Sequence, residues 1–232
     1  LQKLESNHPK YICKNSPTKR VGSTPLSKFD QIEHRIPLLS LSNAMNNEEL
    51  ELFHTQMEKG LGVKNIEYVG EPKLDGLAVE LIYENGQFLK GSTRGNGHIG
   101  ENITDNLKTI NAIPLSLNLN CSIPKILEVR GEVFINHHDF LELNKTRLND
   151  GKSVFANPRN CAAGSLRQLD SSITATRPLR IYCYAPGYIE GLQIKSQKEF
   201  LNLLPKWGLP VNSEIQIGCG IDFLHSYYKY IE

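Results

Sequence analysis

The stretch Ile126–Ile135, ILEVRGEVFI, restricts the possible folds more than any other part of the chain. Successive side chains of a strand point to opposite faces. Leu127, Val129, Val133 and Ile135 therefore share one side, and Glu128, Arg130 and Glu132 share the other. Such a strand suits a sheet that rests on a core and lines a polar cleft. The three charged residues also fit an exposed ladder, since most charged side chains are simply solvated. A second strand is predicted where Leu77, Val79, Leu81 and Tyr83 alternate. Asn85-Gly86 is a strong hairpin signal after it, and Gln87–Thr93 returns.

Helical spacing surrounds these strands. Asn46 with Glu49 resembles a capping pair ahead of Leu50, Phe53, Met57 and Leu61, and Gly60 and Gly62 offer stops. A helix capped by Asn136 is predicted to turn Phe140, Leu141 and Leu148 inward, with His137-His138 at its start. Further helices are expected over 160–169 and over 195–207, the latter ended by Pro205 and Gly208, with a strand over 179–184 between them. Trp207 reads as core. Short strands joined by hairpins and interspersed with helices indicate an α+β fold.

Composition removes several function classes. The 232 residues are 39% hydrophobic and 22% charged, near globular averages, so neither a disordered tail nor a fibrous repeat fits. No apolar run approaches the roughly 18 residues of a membrane span. The first residue is Leu1 with no basic-then-apolar leader, consistent with a piece of a longer protein. The 26 Lys and Arg against 25 Asp and Glu make no case for a polyanion partner, though a local excess would suffice to bind one. Seven of those cations lie in the first 36 residues, which read as a small appendage with turn formers over 15–25. Cys13, Cys121, Cys161, Cys183 and Cys219 form no Cys-x-x-Cys pair, which argues for reduced thiols in the cytoplasm and against a disulfide framework or structural zinc.

Two motifs could carry chemistry. GNGHIG, Gly95–Gly100, matches the spacing of a dinucleotide loop, but it follows a hairpin strand and no acidic residue lies about 20 positions on. A flexible glycine loop beside a site is the better reading. EPKLDG, Glu71–Gly76, places a lysine between two acids, with Pro72 stiffening the approach and Gly76 freeing the chain after it. Lys73 reads either as a surface lysine or as a nucleophile whose pKa is lowered by desolvation or positive neighbours. Arg94, Arg130, Arg159 and Arg167 are the available cations, and the sequence does not show whether they converge.

SPTKRVG (16–22), PLLSLSNA (37–44), EPKLDGLAVEL (71–81), GSTRGNGHIGENIT (91–104), LEVRGEVF (127–134) and NPRNCAAGSLRQLD (157–170) occur in this order. Together they resemble the adenylation domain of bacterial-type NAD-dependent DNA ligases, to about residue 210 and more weakly beyond. ATP-dependent ligases and capping enzymes share only the Lys-x-Asp-Gly and a Gly-Glu strand. The resemblance implies a covalent nucleotidyltransferase fold of antiparallel sheets with flanking helices. It implies that Lys73 takes AMP from NAD as a phosphoramide and releases nicotinamide mononucleotide (NMN). Glu71 would contact adenine, and Ser40, Leu41, Asp75 and Gly76 would belong to the nucleotide pocket. Arg94 would contact the nucleotide, and Glu132 the ribose hydroxyls. Arg159 and Arg167 would face the phosphates of nicked double-stranded DNA; lying eight apart, about 80° around a helix, they fit either the flank of one groove or a solvated face. Mg²⁺ would screen charge at the reacting phosphate, with no metal site among these residues and zinc only in a later module. A monomeric enzyme of DNA replication and repair is implied, without a membrane partner.

Residues 1–29 read as the remnant of an N-terminal NMN-binding helical subdomain, and 30–232 as an adenylation domain incomplete at its C-terminus. The Tyr/Asp-bearing helices and the later strand with the final pocket lysine are missing from the pattern. So are the oligonucleotide-binding, zinc, helix-hairpin-helix and BRCT parts. Such a fragment is expected to be a poor enzyme alone. Lys19, Asn96 and Asn102 stand where the family pattern has Gln, Asp and Asp. The competing readings are a non-catalytic nucleotide- or DNA-binding remnant and an ATP-using nucleotidyltransferase.

Overall fold

The computed structural model describes residues 1–11, 16–20, 26–118 and 120–232. The chain opens with helix α1, Gln2–Asn7, and short 3-10 turns at Pro9–Tyr11 and Pro17–Lys19. Arg20 ties this segment to the body, donating to the carbonyls of Lys108, Ile110 and Ile113 at 2.9–3.2 Å. Strand β1, Gln31–Glu33, follows, and then helix α2, Asn47–Leu61. Asn46 caps α2 by accepting from Glu49 N–H at 2.8 Å, and Gly62 closes it with a φ of 68°. Strand β2, Glu67–Gly70, leads through the lysine motif into β3, Leu77–Glu84, and β4, Gln87–Thr93. Asn85 and Gly86 both have positive φ, as the two-residue hairpin requires.

Strand β5, Ile99–Glu101, helix α3, Thr104–Lys108, strand β6, Ile126–Phe134, and helix α4, His137–Asn149, come next. Helices α5, Pro158–Leu166, and α6, Ser171–Ala175, precede β7, Arg180–Glu190. Helix α7, Gln197–Trp207, strand β8, Gln216–Cys219, and helix α8, Gly220–Ile231, end the chain. The main sheet is antiparallel with order β4-β3-β6-β7, and β1-β5 and β2-β8 form two-stranded antiparallel pairs. This is a mixed α/β architecture with antiparallel sheets. Among the described residues no helix is long and apolar enough to cross a membrane.

The core lies against one face of the main sheet. Val79, Leu81 and Tyr83 of β3, Leu127, Val129 and Val133 of β6, and Ile181 and Cys183 of β7 pack with Leu107 of α3 and Phe200, Leu204 and Trp207 of α7. Trp207 is fully buried, and its indole N–H donates to Ser122 O at 3.0 Å. The alternation that predicted β3 and β6 thus marks the core face as expected.

Four expectations need correction. Leu141 and Leu148 are exposed, and α4 buries only Phe140, which packs in a small separate cluster with Ile135 and Cys161 and so needs only a narrow apolar stripe. Pro205 lies inside α7, which runs on to its Gly208 cap, so the proline does not end it. The helix expected over 160–169 starts at Pro158 and stops at Leu166, leaving Arg167 as its C-cap with non-helical ψ. Arg159 in its first turn and Arg167 at its cap, whose N–H still donates to Ala163 O at 3.1 Å, thus stand at opposite ends of one short helix. The strand expected over 179–184 extends to Glu190, while β2, β8 and α8 had no predicted counterpart. Of the five cysteines, Cys13 lies outside the described residues and the other four are free thiols.

Candidate active site

Lys73 projects from the irregular link between β2 and β3, and its side chain is exposed. The link is held against β6 by Gly76. Its N–H donates to Glu132 Oε1 at 3.1 Å, and a Cβ at this position would meet Val133 O at 2.2 Å. No residue but glycine permits this approach. Burial raises the pKa of Glu132, opposed by the Gly76 hydrogen bond and by the charges of Lys73 and Arg159, with Asp75 acting the other way. The nucleophile candidate, the acid of the charged strand and one downstream arginine therefore share one field. Arg159 pairs with Asp75 at 3.1 Å.

Glu71 lies at the start of the same link, beside a cleft of about 250 Å³ lined by Tyr68, Val69, Gln197 and Lys198 among others. Gln197, at the first turn of α7, donates to Glu71 Oε1 at 2.8 Å and also to Tyr184 O. Burial raises the Glu71 pKa, and the Gln197 hydrogen bond opposes the shift. Tyr184 of β7 went unrecognised in the sequence. Burial pushes its phenol up to about 12, with Glu132 adding and Arg130 and Arg94 opposing. It is thus a neutral aromatic close to those three charged groups. Only strand pairing brings it there, and no spacing along the chain could have shown it.

Ser40 and Leu41 lie on the open segment that crosses above the charged face. Arg94 Nε donates to Leu38 O at 3.1 Å and Nη2 to Ser40 Oγ at 3.0 Å, while Arg130 Nη2 donates to the carbonyls of Ile36 and Pro37 at 2.8 and 3.1 Å. Leu41 is 76% exposed. Arg167 lies apart from this group. Its guanidinium makes a two-pronged contact with Glu101 of β5, at 2.5 and 2.6 Å. Buried Asn106 sets the Arg167 backbone, because its Nδ2 lies 2.7 Å from both Leu166 O and Gln168 O. Of the four candidate cations, Arg159 acts on Glu132 together with Lys73, Arg94 and Arg130 act on Tyr184, and Arg167 pairs with Glu101 of β5.

Residues 26–232 match the family model described as the NAD-dependent DNA ligase adenylation domain. The chain belongs to this family. It is 54% identical over its whole length to a DNA ligase of Geotalea daltonii, of which it covers 35%. It is 50% identical over 99% of its length to a DNA ligase of Geobacter sulfurreducens, covering 34% of that protein. A DNA ligase of Thermodesulfovibrio yellowstonii is 49% identical over 96% of the chain, covering 33% of that protein. The chain thus spans about a third of the length of these relatives.

Two departures from the adenylation-domain pattern keep a working hydrogen bond. Asn96 Oδ1 accepts from the N–H groups of His98 and Ile99 at 2.9 and 2.8 Å. Asn102 Oδ1 accepts from Thr104 Oγ1 at 2.6 Å and Thr104 N at 3.2 Å. An amide oxygen accepts from the same donors that an Asp carboxylate would, so the loop geometry does not require the charge. The side chain of Lys19 lies outside the described residues. The glycine loop over 95–100 leads from β4 into β5 and opens no helix, which excludes the dinucleotide-fingerprint reading.

Proposed function

We propose that this domain forms a lysine–AMP intermediate from NAD as the first step of DNA nick sealing by its parent ligase. The observation that carries the reading is the Gly76–Glu132 contact, which holds the Lys73 link against an acidic strand amid arginines. Lys73 Nζ, once deprotonated, attacks the adenylyl phosphorus. The P–N bond forms, the bond to the bridging oxygen breaks, and NMN is released with the electron pair on its phosphate. The donor set suits such a substrate. Lys73 and Arg94 are cationic for phosphate, the carboxylates of Glu71 and Glu132 accept from base and ribose, and the neutral Tyr184 offers an aromatic face. Ser40, Leu41, Asp75 and Gly76 complete the pocket, Gly76 by leaving space.

Mg²⁺ is assigned to the phosphates of the substrate. Among the described residues no group of three or more His, Cys, Asp or Glu side chains could hold a metal. Mg²⁺ commonly keeps its waters and takes one or two carboxylates plus substrate phosphates, a role that needs no protein metal cage. Arg159 and Arg167 are assigned to the phosphates of nicked DNA. Both are more than half exposed, and each is paired with a carboxylate. An exposed pair contributes about 0–1 kcal/mol, so a phosphate can displace the carboxylate at small cost. Residues 1–29 are assigned to the NMN-binding helical subdomain and 30–232 to the nucleotidyltransferase fold. The parent enzyme would act as a cytoplasmic monomer in replication and repair.

The test supplies the parent ligase with adenine-labelled NAD or ATP and maps the adduct. Labelling of Lys73 by NAD is expected. An adduct formed from ATP only, or on another lysine, would overturn the proposal.

A further inference from the structure

The charged face of the main sheet holds a titratable pair that the proposed chemistry does not use. His34, just after β1, and Glu80 of β3 both have fully buried side chains, and His34 Nδ1 lies 2.8 Å from Glu80 Oε2. Isolating a carboxylate from water costs several kcal/mol unless it is well paired, and an apolar residue at such a site is often at least as stable. Glu80 is only partly compensated. Its Oε1 has no hydrogen-bond partner and faces Arg130 Nε, itself without one, at 3.9 Å. Glu80 and Arg130 are direct cross-strand partners. Beside them β7 carries Gly187, where a Cβ would come within 3.0 Å of Glu80 Oε1. Space for the acid depends on that glycine.

The pair reaches both arginines that carry the pocket segment. His34 Nε2 lies 3.2 Å from the carbonyl of Arg94, and Glu80 faces the guanidinium of Arg130. Those two guanidiniums bond Ile36 O, Pro37 O, Leu38 O and Ser40 Oγ, so almost every residue of the segment is fastened by one of them. Apart from these bonds the segment has little support. Leu38 is buried and its N–H donates to Gly97 O, but Ile36, Leu39 and Ser40 are exposed.

We propose that His34 and Glu80 are positioning residues that hold Ile36–Ser40 in register over the nucleotide pocket, acting through Arg94 and Arg130. The pair touches no reacting atom. Its burial sets a fixed point that holds the Arg94 backbone and faces the Arg130 guanidinium. Because the inference rests on the adenylylation reading, its test begins with the parent ligase forming Lys73–AMP from NAD. If the unaltered enzyme does not form it, that earlier reading fails, not this one.

Glu80→Gln keeps the volume and a hydrogen bond to His34 but removes the charge facing Arg130. In self-adenylylation it is expected to raise KM for NAD about tenfold, equivalent to about 1.4 kcal/mol, with kcat within about twofold. A merely structural role would lower the active fraction, read from the burst amplitude, and leave KM unchanged. Adding Glu80→Gln to Arg130→Gln should cause little further rise, because the acid works through that arginine. If Glu80→Gln folds poorly, Arg130→Lys reads the same link, since lysine keeps the charge but has no Nε–H toward Glu80 and ends short of the Nη2 position that bonds both carbonyls. The inference is overturned if a folded Glu80→Gln or Arg130→Lys enzyme has the KM of the parent, or if Glu80→Gln and Arg130→Gln multiply fully.

Discussion

Gly76→Ala tests the geometry of the lysine link most directly. The added Cβ would lie 2.2 Å from Val133 O, 3.0 Å from Val133 C and 3.1 Å from Glu132 Cγ, whereas ordinary contact begins at 3.4 Å. Two of the three obstacles belong to the backbone of central strand β6 and cannot rotate away. The link must therefore retreat by roughly 1 Å, taking Lys73 with it and stretching the 3.1 Å bond from Gly76 N to Glu132. Overpacking of this kind costs about 1–3 kcal/mol, a fall in melting temperature of roughly 2–12 °C for a domain this size. A displacement of about 1 Å at a reacting group costs on the order of 10²-fold in rate. We expect single-turnover transfer of labelled AMP from saturating NAD to slow by about that factor in the parent ligase. Gly60→Ala is the control. It lies inside α2 with no atom within 4 Å of its would-be Cβ. Alanine there should stabilise by up to about 1 kcal/mol and leave transfer unchanged. A folded Gly76→Ala enzyme that adenylylates at the parent rate would refute the steric argument.

Three further outcomes are expected. Arg167→Ala should impair sealing of nicked DNA much more than adenylylation, reduce the salt dependence of DNA binding by about one phosphate contact, and not be rescued by Arg167→Lys; loss of adenylylation with normal sealing by pre-adenylylated enzyme would return this arginine to the nucleotide pocket. Gln197→Ala removes the donor to Glu71 and should raise KM for NAD by roughly tenfold, the scale of a hydrogen bond to a charged group; an unchanged KM would show that Glu71 is oriented without it. Glu128→Gln tests burial on the charged face. Burial and then Glu80 raise the Glu128 pKa above its ordinary 4.5. The acid form therefore favours the fold at low pH, and this contribution is lost as pH rises through the raised value. The stability difference should move in favour of Glu128→Gln across that window in denaturant melts, and a pH-independent difference would contradict it.

The strands and helix caps were legible because their signals are local. Alternation at 77–83 and 126–135 marked the core face, since a strand has a period of two whatever it pairs with. Asn46, Asn136 and Gly62 signalled helix ends through bonds that span only a few residues. Leu141, Leu148 and Pro205 were misread because apolar spacing does not reveal whether a partner surface exists, nor whether a final turn tolerates proline. Strands β2 and β8 escaped notice because each is short and paired across about 150 residues.

For the site, the motif order carried the family assignment and the nomination of Lys73, Glu71, Arg94 and Glu132, since each motif lies on a contiguous stretch. The reason Gly76 must be glycine lies in the carbonyl of Val133, on another strand. Tyr184, Gln197, Asn106, and the His34–Glu80 pair enter the site or its support only through packing. The separation of Arg167 from the other arginines follows from where α5 stops and which carboxylate β5 presents. The sequence by itself determined the periodicities, the caps and the order of motifs, because those depend on near neighbours along the chain. Which charges meet, which are buried and which remain open to a phosphate were decided only by the tertiary structure, because electrostatic and steric contacts depend on distance in space.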